Sequence, residues 1–265
     1  MFDHDMAVAA LERNAWSMFA VLGTGDGGCV IDTPTRLVVE TPVRQPPYNA
    51  VWRFHDENDR PLVEQVVALL ERFAGRDVTP MWLVHPTAPP GLRDRLGALG
   101  MVCAEEVFGM IAELRSLPPI PAPAEEVEVR EATATEPDEW VHLVSWRYGL
   151  DTSTSPYLAD VYARALRGRT RMWVARVAGV PSSKTVLHID DDGVSGIYGV
   201  ATTENGRHRG LASLLTLTAL HAARAQGAEI GVLHSTPMAR SLYARLGFRD
   251  VALFEAWAEP DTLHL

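Results

Sequence analysis

The sequence predicts an α+β fold arranged as two tandem domains, and three observations carry that expectation. Residues 81–114 and 230–257 both read strand, short helix, Leu-Gly, strand, with Leu99-Gly100-Met101 standing where Leu246-Gly247-Phe248 does. Between the two copies lies a run of closely spaced prolines at 118–123, which favours an extended, semi-rigid segment and marks a boundary. Strand-like and helical apolar periods alternate along both halves. The expected division is therefore a first domain at 1–116, a linker at 117–124 and a second domain at 125–265. A chain of 265 residues with 47% hydrophobic content has room for two cores of ordinary size.

In order, residues 6–22 read as a helix with Val8, Leu11, Ala15, Met18 and Phe19 on one face. The next six residues, Gly23-Thr24-Gly25-Asp26-Gly27-Gly28, match the dinucleotide fingerprint G-x-G-x-x-G. Its context is inverted, with a helix before it and a β-like run, 29–31, after it, so it reads as a turn. Strands follow near 37–43 and 50–54, then the acidic start Asp56-Glu57-Asn58-Asp59 and a helix over 61–74 carrying Leu62, Val66, Leu69, Leu70 and Phe73 at helical spacing. A buried strand at 81–84, a short helix at 92–99 stopped by Gly100 and a strand at 102–114 complete the first half.

The second half reads strand 126–131, helices 137–148 and 156–166, and strands 170–177, 185–189 and 196–202. A helix at 211–227 and a strand at 230–233 follow. Thr236 reads as an N-cap with Pro237 at the first helical position, opening a short helix to 246, and 248–257 is the closing strand.

The most informative stretch is Tyr198-Gly-Val-Ala-Thr-Thr-Glu-Asn-Gly-Arg-His-Arg-Gly-Leu-Ala212, a strand that breaks into a polar turn and opens directly into the long helix. The first turn of a helix carries N–H groups without intrahelical partners, and the helix dipole adds positive character there, so the geometry suits phosphate oxygens. Arg207, His208 and Arg209 concentrate positive charge at that point in a chain of formal net charge -10.

The spacing Arg207-x-x-Gly210-x-Ala212 between strand and helix resembles the acetyl-CoA pyrophosphate signature of the GNAT superfamily of N-acetyltransferases. The segment Thr236-Pro-Met-Ala-Arg-Ser-Leu-Tyr243-Ala-Arg-Leu-Gly-Phe248 is similar to the family's second motif, in which a tyrosine sits near the thioester sulfur. The resemblance implies two tandem GNAT-like domains, each a mixed, mostly antiparallel twisted sheet flanked by helices, with the N-terminal one degenerate. It also implies an acetyl-CoA-dependent N-acetyltransferase acting on the primary amine of a small-molecule or peptide acceptor, without a metal. Cofactor contacts carry over onto Val200, Ala201 and Thr202, onto Arg207, His208, Arg209, Gly210, Leu211, Ala212 and Ser213, and onto Thr236 and Ala239. At Thr236 family members often have Asn. The main-chain N–H of Val200 is implied as the donor to the thioester carbonyl, and Tyr243 as the acid that protonates the departing thiolate.

Gly196 falls where some family members place a glutamate base. Tyr198, on the same strand face as Gly196 and Val200 by the period of two, is the candidate base, with a water relay as the alternative. Trp146, Tyr148 and Tyr157 are candidate lining of the acceptor pocket. The first half has Asp56-Glu57-Asn58-Asp59 at the pyrophosphate turn and Leu96 where the second has Tyr243, so only the second half is expected to bind cofactor.

Other chemistries find no anchor. Gly193-Val-Ser-Gly-Ile197 lacks the last glycine of a nucleophile elbow, and the histidines include no H-x-x-x-H pair for zinc. The sequence pI near 5.4 argues against a duplex nucleic-acid partner. No apolar run reaches membrane-spanning length, the N-terminus lacks a signal-peptide pattern, and Cys29 and Cys103 form no disulfide or metal framework, so a cytoplasmic protein is expected. Monomer and homodimer both remain open. The alternative to an enzyme is a non-catalytic acyl-CoA-binding or regulatory module, against which retention of Tyr243 speaks.

Overall fold

The computed structural model describes residues 3–58, 60–147, 149–260 and 262. The first half contains α1 (His4–Ala20), β1 (Cys29–Asp32), β2 (Arg36–Glu40), β3 (Ala50–Phe54), α2 (Leu62–Ala74), β4 (Met81–Val84), α3 (Leu92–Ala98) and β5 (Val102–Glu113). The second contains β6 (Val127–Glu131), α4 (Val141–Arg147), α5 (Ser155–Ala165), β7 (Thr170–Val177), β8 (Val180–Ile189), β9 (Ser195–Thr202), α6 (Leu211–Ala225), β10 (Ile230–Ser235), α7 (Arg240–Arg245) and β11 (Arg249–Ala258).

The strands join in one 11-stranded sheet of order β1-β2-β3-β4-β11-β5-β10-β9-β8-β7-β6. Only the β3/β4 and β9/β10 pairs are parallel among the described strands, and the remaining pairs are antiparallel. The two halves exchange their last strands. The C-terminal β11 pairs with β4 of the first half, while β5 of the first half pairs with β10 of the second, and β5 and β11 pair with each other at the centre. Periodicity reports which face of a strand is apolar but not which neighbour it takes, so this exchange has no signature in the sequence.

Three apolar clusters fill the spaces on either side. On one face, α1, α4 and α5 cover a cluster that runs through both halves, from Leu37 and Trp52 to Val186 and Val232. On the other, α6 and α7 pack over β7 to β10, and α2 and α3 pack over β2 to β4.

Helix α1 explains why the halves cannot be read as separate bodies. Its buried Glu12 reaches His85 Nδ1 at 3.0 Å and Thr87 within its own half, whereas Asn14 donates to Asp190 Oδ2 at 3.0 Å and to the Val194 carbonyl at 2.8 Å in the other. Ser17 Oγ lies 2.8 Å from His188 Nε2. Buried polar groups must be partnered to avoid a desolvation penalty of about 1–3 kcal/mol each, so these contacts fix how α1 sits on the sheet.

The glycine run at 23–28 has a packing explanation. A Cβ at Gly25 would lie 2.8 Å from the Tyr157 ring, and one at Gly28 would lie 2.6 Å from its hydroxyl. Tyr157 of α5 donates to the Leu22 carbonyl at 2.5 Å. The glycines let a helix of the second half press on the turn after α1, and β1 follows where a nucleotide fold would need a helix.

Candidate functional site

Strand β9 is where the sheet opens. Its parallel ladder with β10 pairs Ser195, Gly196 and Ile197 with Gly231, Val232 and Leu233 and then stops, although both strands continue. On the other side, β9 advances from Tyr198 to Ala201 while β8 advances only from Val186 to Lys184. The surplus residue is a β-bulge at Gly199 and Val200, made possible by the left-handed φ of +53° at Gly199. Gly199 and Val200 have no partner residue in either ladder. Beyond Ile197 the β10 side of β9 is without a ladder, and an extended amide chain can pair there as an added strand.

The bulge also corrects one expectation from the period of two. Tyr198 lies on the α1 face of the sheet with Gly196, but Val200 packs against the α6 cluster, because the extra residue turns the strand over between them.

Sequence reading missed the residue that holds this bulge. Lys184 is the one lysine of the chain, is wholly buried, and donates from Nζ to the Gly199 carbonyl at 2.6 Å. The only signal for it was compositional: all the other basic residues are arginines. A flexible stem ending in a compact ammonium can reach a single carbonyl in a closed space, which the planar arginine fork does not do as readily.

From Thr202 the chain passes through a 3-10 turn, Glu204–Gly206, into the exposed Arg207, His208, Arg209 and Gly210. His208 and Gly210 both adopt positive φ, +62° and +72°, and Gly210 caps α6. The first helical bond runs from Leu214 N–H to the Gly210 carbonyl, leaving the N–H groups of Leu211, Ala212 and Ser213 ahead of the ladder. A Cβ at Gly210 would meet no protein atom within 4 Å. Arg209 is turned aside to Glu126 at 2.8 Å, an exposed ion pair that an incoming phosphate would compete with.

Tyr243 of α7 is buried and belongs to the apolar cluster that includes Leu211 and Leu214 of α6, with Val200 packed against it. Its ring meets Phe248 edge-on at 6.1 Å. The expected stripe of Ala239, Leu242, Tyr243 and Leu246 faces this cluster. Bulge, helix start and Tyr243 are thus drawn together around one core. The helix begins later than expected, at Arg240, and Thr236 makes no side-chain cap; its carbonyl instead accepts from the N–H groups of Ala239 and Arg240 at 3.1 and 3.2 Å. A hydrogen-bonded turn over 236–239 replaces the first helical turn, so Pro237 needs no capped helix behind it.

On the α1 face, the Tyr198 hydroxyl donates to Asn14 Oδ1 at 2.7 Å. Burial first, and Asp190 second, hold its phenol well above the usual range, which keeps it a neutral donor. A Cβ at Gly196 would fall 1.9 Å from Asn14 Oδ1, so the space of a side chain at 196 is filled by Asn14 from the first half. Tyr157 is occupied under the glycine turn, its phenol pushed up to about 12 by burial and by Asp160. The Trp146 side chain and Tyr148 lie outside the described residues. Beside Tyr198, His234 of β10 has both ring nitrogens buried without a hydrogen-bond partner, and burial lowers its pKa to about 4.

The first half repeats the topology but closes the turn. Asp56 accepts from Gln65 at 2.7 Å and Glu57 from Thr35 at 2.9 Å, while Arg36 also bonds Gln65 and stacks on Phe54 at 4.0 Å. Its own side chains occupy the start of α2, and Leu96 stands on α3 as a buried core residue.

Residues 132–248 match the model of the Acetyltransferase (GNAT) family. The whole chain is similar in fold to a GCN5-related N-acetyltransferase from Kribbella flavida, 20% identical over 95% of each chain with a TM-score of 0.68. It is likewise similar to a tandem GNAT protein from the clavulanic acid biosynthesis pathway, 16% identical over 96% of this chain and 94% of that one, TM-score 0.62. A GCN5-related N-acetyltransferase from Sphaerobacter thermophilus is 16% identical over 89% of this chain and 84% of that one, TM-score 0.63. A search of curated proteins returned no match. Residues 132–248 thus match the GNAT acetyltransferase family, and the chain as a whole has the fold of tandem GNAT proteins.

Proposed function

We propose that the protein transfers the acetyl group of acetyl-CoA to the primary amine of an acceptor, with one cofactor site per chain, in the second half. The observation that carries this reading is the juxtaposition of the bulge at Gly199 and Val200, in an opened pair of strands, with the glycine-capped start of α6. The N–H groups of Leu211, Ala212 and Ser213, with Arg207, His208 and Arg209, would hold the pyrophosphate. Main-chain groups of Val200, Ala201 and Thr202 would pair with the pantetheine amides, and the turn at Thr236 and Ala239 would flank that arm. The catalytic unit is then 125–265 completed by β5, with 117–124 as the link to the first domain.

The amine nitrogen bonds to the thioester carbon, and negative charge gathers on its oxygen, to which the Val200 N–H would donate. The C–S bond then breaks, the thiolate takes a proton from the Tyr243 hydroxyl, and the proton shed by the nitrogen as it becomes an amide returns the phenolate to its neutral form through solvent. With reference pKa values near 8.5 and 10, this transfer is about 2 kcal/mol uphill, a cost that positioning offsets. The ammonium of the acceptor loses its proton before attack. Tyr198, a neutral donor bonded to Asn14, would orient the amine or a water that takes this proton.

The fold favours transfer over mere binding because Tyr243 sits in the same cluster as the helix start. Calorimetry should give a stoichiometry of one acetyl-CoA per chain, and amine-dependent release of free thiol should follow. Two sites per chain would overturn the reading of the first half as degenerate, and cofactor binding with no turnover of any amine would return the protein to a binding module. The free thiols Cys29 and Cys103 suit a reducing cytoplasm. Among the described residues no helix is long and apolar enough to cross a membrane.

A further inference from the structure

The two copies of the repeat carry the same pattern, His-x-Thr, at the end of equivalent strands. His85-Pro86-Thr87 follows β4 and His234-Ser235-Thr236 closes β10, each ahead of the short helix α3 or α7. The first of these histidines is fully engaged. Its Nδ1 lies 3.0 Å from Glu12 Oε1 and 3.1 Å from Thr87 Oγ1, and its Nε2 accepts the Phe54 N–H at 3.3 Å. That last bond ties β3 to β4 past the end of their ladder, because Phe54 and His85 each lie three residues beyond its final pair, Val51 and Trp82. In the second copy, Tyr198 and His234 each lie one residue beyond the final pair of the β9/β10 ladder, Ile197 and Leu233. Here the imidazole is left open: among the described residues neither ring nitrogen of His234 has a hydrogen-bond partner. The ring meets Phe254 edge-on with centroids 4.4 Å apart and stands 6.5 Å from that of Tyr198, and both neighbours belong to the cluster under α1. The helix start and the turn assigned to the cofactor lie on the opposite face, with α6 and α7. His234 therefore stands where the strands part, on the side from which an acceptor would meet the thioester.

We propose that His234 is the base that takes the proton released by the acceptor nitrogen as the amide forms. This rests on the acetyltransferase reading and adds a catalytic residue to it. The first copy shows what satisfies an imidazole in this place, an N–H reaching it from the neighbouring strand. Buried polar nitrogens without partners are costly, and in the second copy the N–H of the reacting amine fills that need. The steps balance as follows. The amine nitrogen gives its lone pair to the thioester carbon and becomes positively charged while still carrying the proton. That proton passes to a ring nitrogen of His234, the carbonyl re-forms as the C–S bond breaks, and the departing thiolate takes the Tyr243 proton. The imidazolium then returns its proton through solvent to the Tyr243 phenolate, so both side chains end as they began. Burial holds His234 at about 4, too weak a base for a free alkylammonium. It suits the far stronger acid that the nitrogen becomes once bonded to the former carbonyl carbon. Glu12 of α1 is the charge that acts on His234 and favours the imidazolium. Tyr198 flanks the ring from β9, and β5 and β11 offer Gly109 and Phe254.

Two measurements on the full chain test this, one of them independent of turnover. In protein labelled with nitrogen-15 histidine, the ring signals of His234, assigned by their absence from His234→Gln, should shift when acetyl-CoA is added, whereas those of His85 should stay in place. Thiol release is then followed with the fastest of methylamine, benzylamine, spermidine and a lysine-containing peptide. His234→Gln and His234→Phe should each lower kcat by about a hundredfold or more and leave acetyl-CoA affinity within about twofold of wild type. Glutamine still accepts a hydrogen bond but takes no proton, so it separates base catalysis from orientation of the amine, and circular dichroism checks that both variants fold. A wild-type kcat in either folded variant, or His234 signals that do not respond to bound acetyl-CoA, would overturn the assignment and leave the acetyltransferase reading in place. Acetyl-CoA bound without thiol release from any of the four amines would instead remove that reading, and the role of His234 with it.

Discussion

At the scale of single residues, three side chains connect the geometry to measurable chemistry. Tyr243→Phe preserves the ring that packs among Leu242, Leu246 and Phe248, so stability and acetyl-CoA affinity should hold. If the hydroxyl protonates the thiolate, kcat should fall by about a hundredfold or more, the pattern of an interaction made in the transition state. An unchanged kcat would make Tyr243 a core residue only. Lys184→Met tests the bulge: methionine keeps an unbranched stem but leaves the Gly199 carbonyl without this donor. The expected loss is about 1–3 kcal/mol in unfolding free energy, together with a lower kcat as Val200 loses its fixed direction. His234 addresses pH. Its folded pKa near 4 lies below the unfolded value of about 6.5, so the unfolded chain binds the extra proton. Stability is therefore complete above about pH 6.5 and is withdrawn as pH falls towards 4, by an amount on the order of 3 kcal/mol. His188, also lowered to about 4 by burial, adds to the same acid limb. His234→Phe removes the two unpartnered nitrogens and should flatten that limb. Urea unfolding at pH 5 and pH 8 gives the comparison, and an unchanged difference between the two would exclude His234 as a source.

At the scale of elements, what was legible in the sequence was local. The strand, turn and helix around Gly210 could be read because its determinants, a β-rich run, a glycine and an apolar helical period, lie within about a dozen residues of one another. The bulge could not be read, since Gly199 looks like any glycine in a strand, and with it went the true facing of Val200. Asn14 filling the space beside Gly196 was equally hidden, because a helix in one half meets a strand 182 residues later only through the tertiary fold. The late start of α7 follows from a turn that uses the Thr236 carbonyl rather than its hydroxyl, a choice that composition does not encode. Gly210→Val probes the element that was legible. At φ +72° a β-branched residue is strained, and its side chain would enter the open space before the helix start. Acetyl-CoA affinity should drop by at least about tenfold. Gly193→Val is the matched control, with φ +77°, equally open surroundings and a place in the β8–β9 turn; it should carry similar strain without the loss of affinity. Equal effects of the two changes would mean that strain alone, not occupation of the cradle, weakens binding.

At the scale of the whole molecule, the exchanged strands set how the chain must behave as a unit. Residues 121–126 are exposed, without regular structure until β6, and proline-rich, the kind of segment a protease reaches first. The halves on either side look separable in the sequence, yet β5 lies between β10 and β11, and β11 between β4 and β5. Pulling the halves apart would strip both edges of β11 or β5 of their hydrogen bonds and expose the apolar cluster that α1 shares with both halves. Unpaired strand edges and newly bared apolar surface are each costly. A cut confined to 121–126 should therefore leave two fragments that co-elute on size exclusion, unfold in one cooperative transition, and bind acetyl-CoA with unchanged stoichiometry. After denaturation and removal of the first fragment, the second should fail to refold alone, because β10 then lacks β5 and β9 lacks the packing of α1. Native separation of the fragments with cofactor binding intact in the second would refute the exchanged sheet and restore two independent domains joined by a spacer.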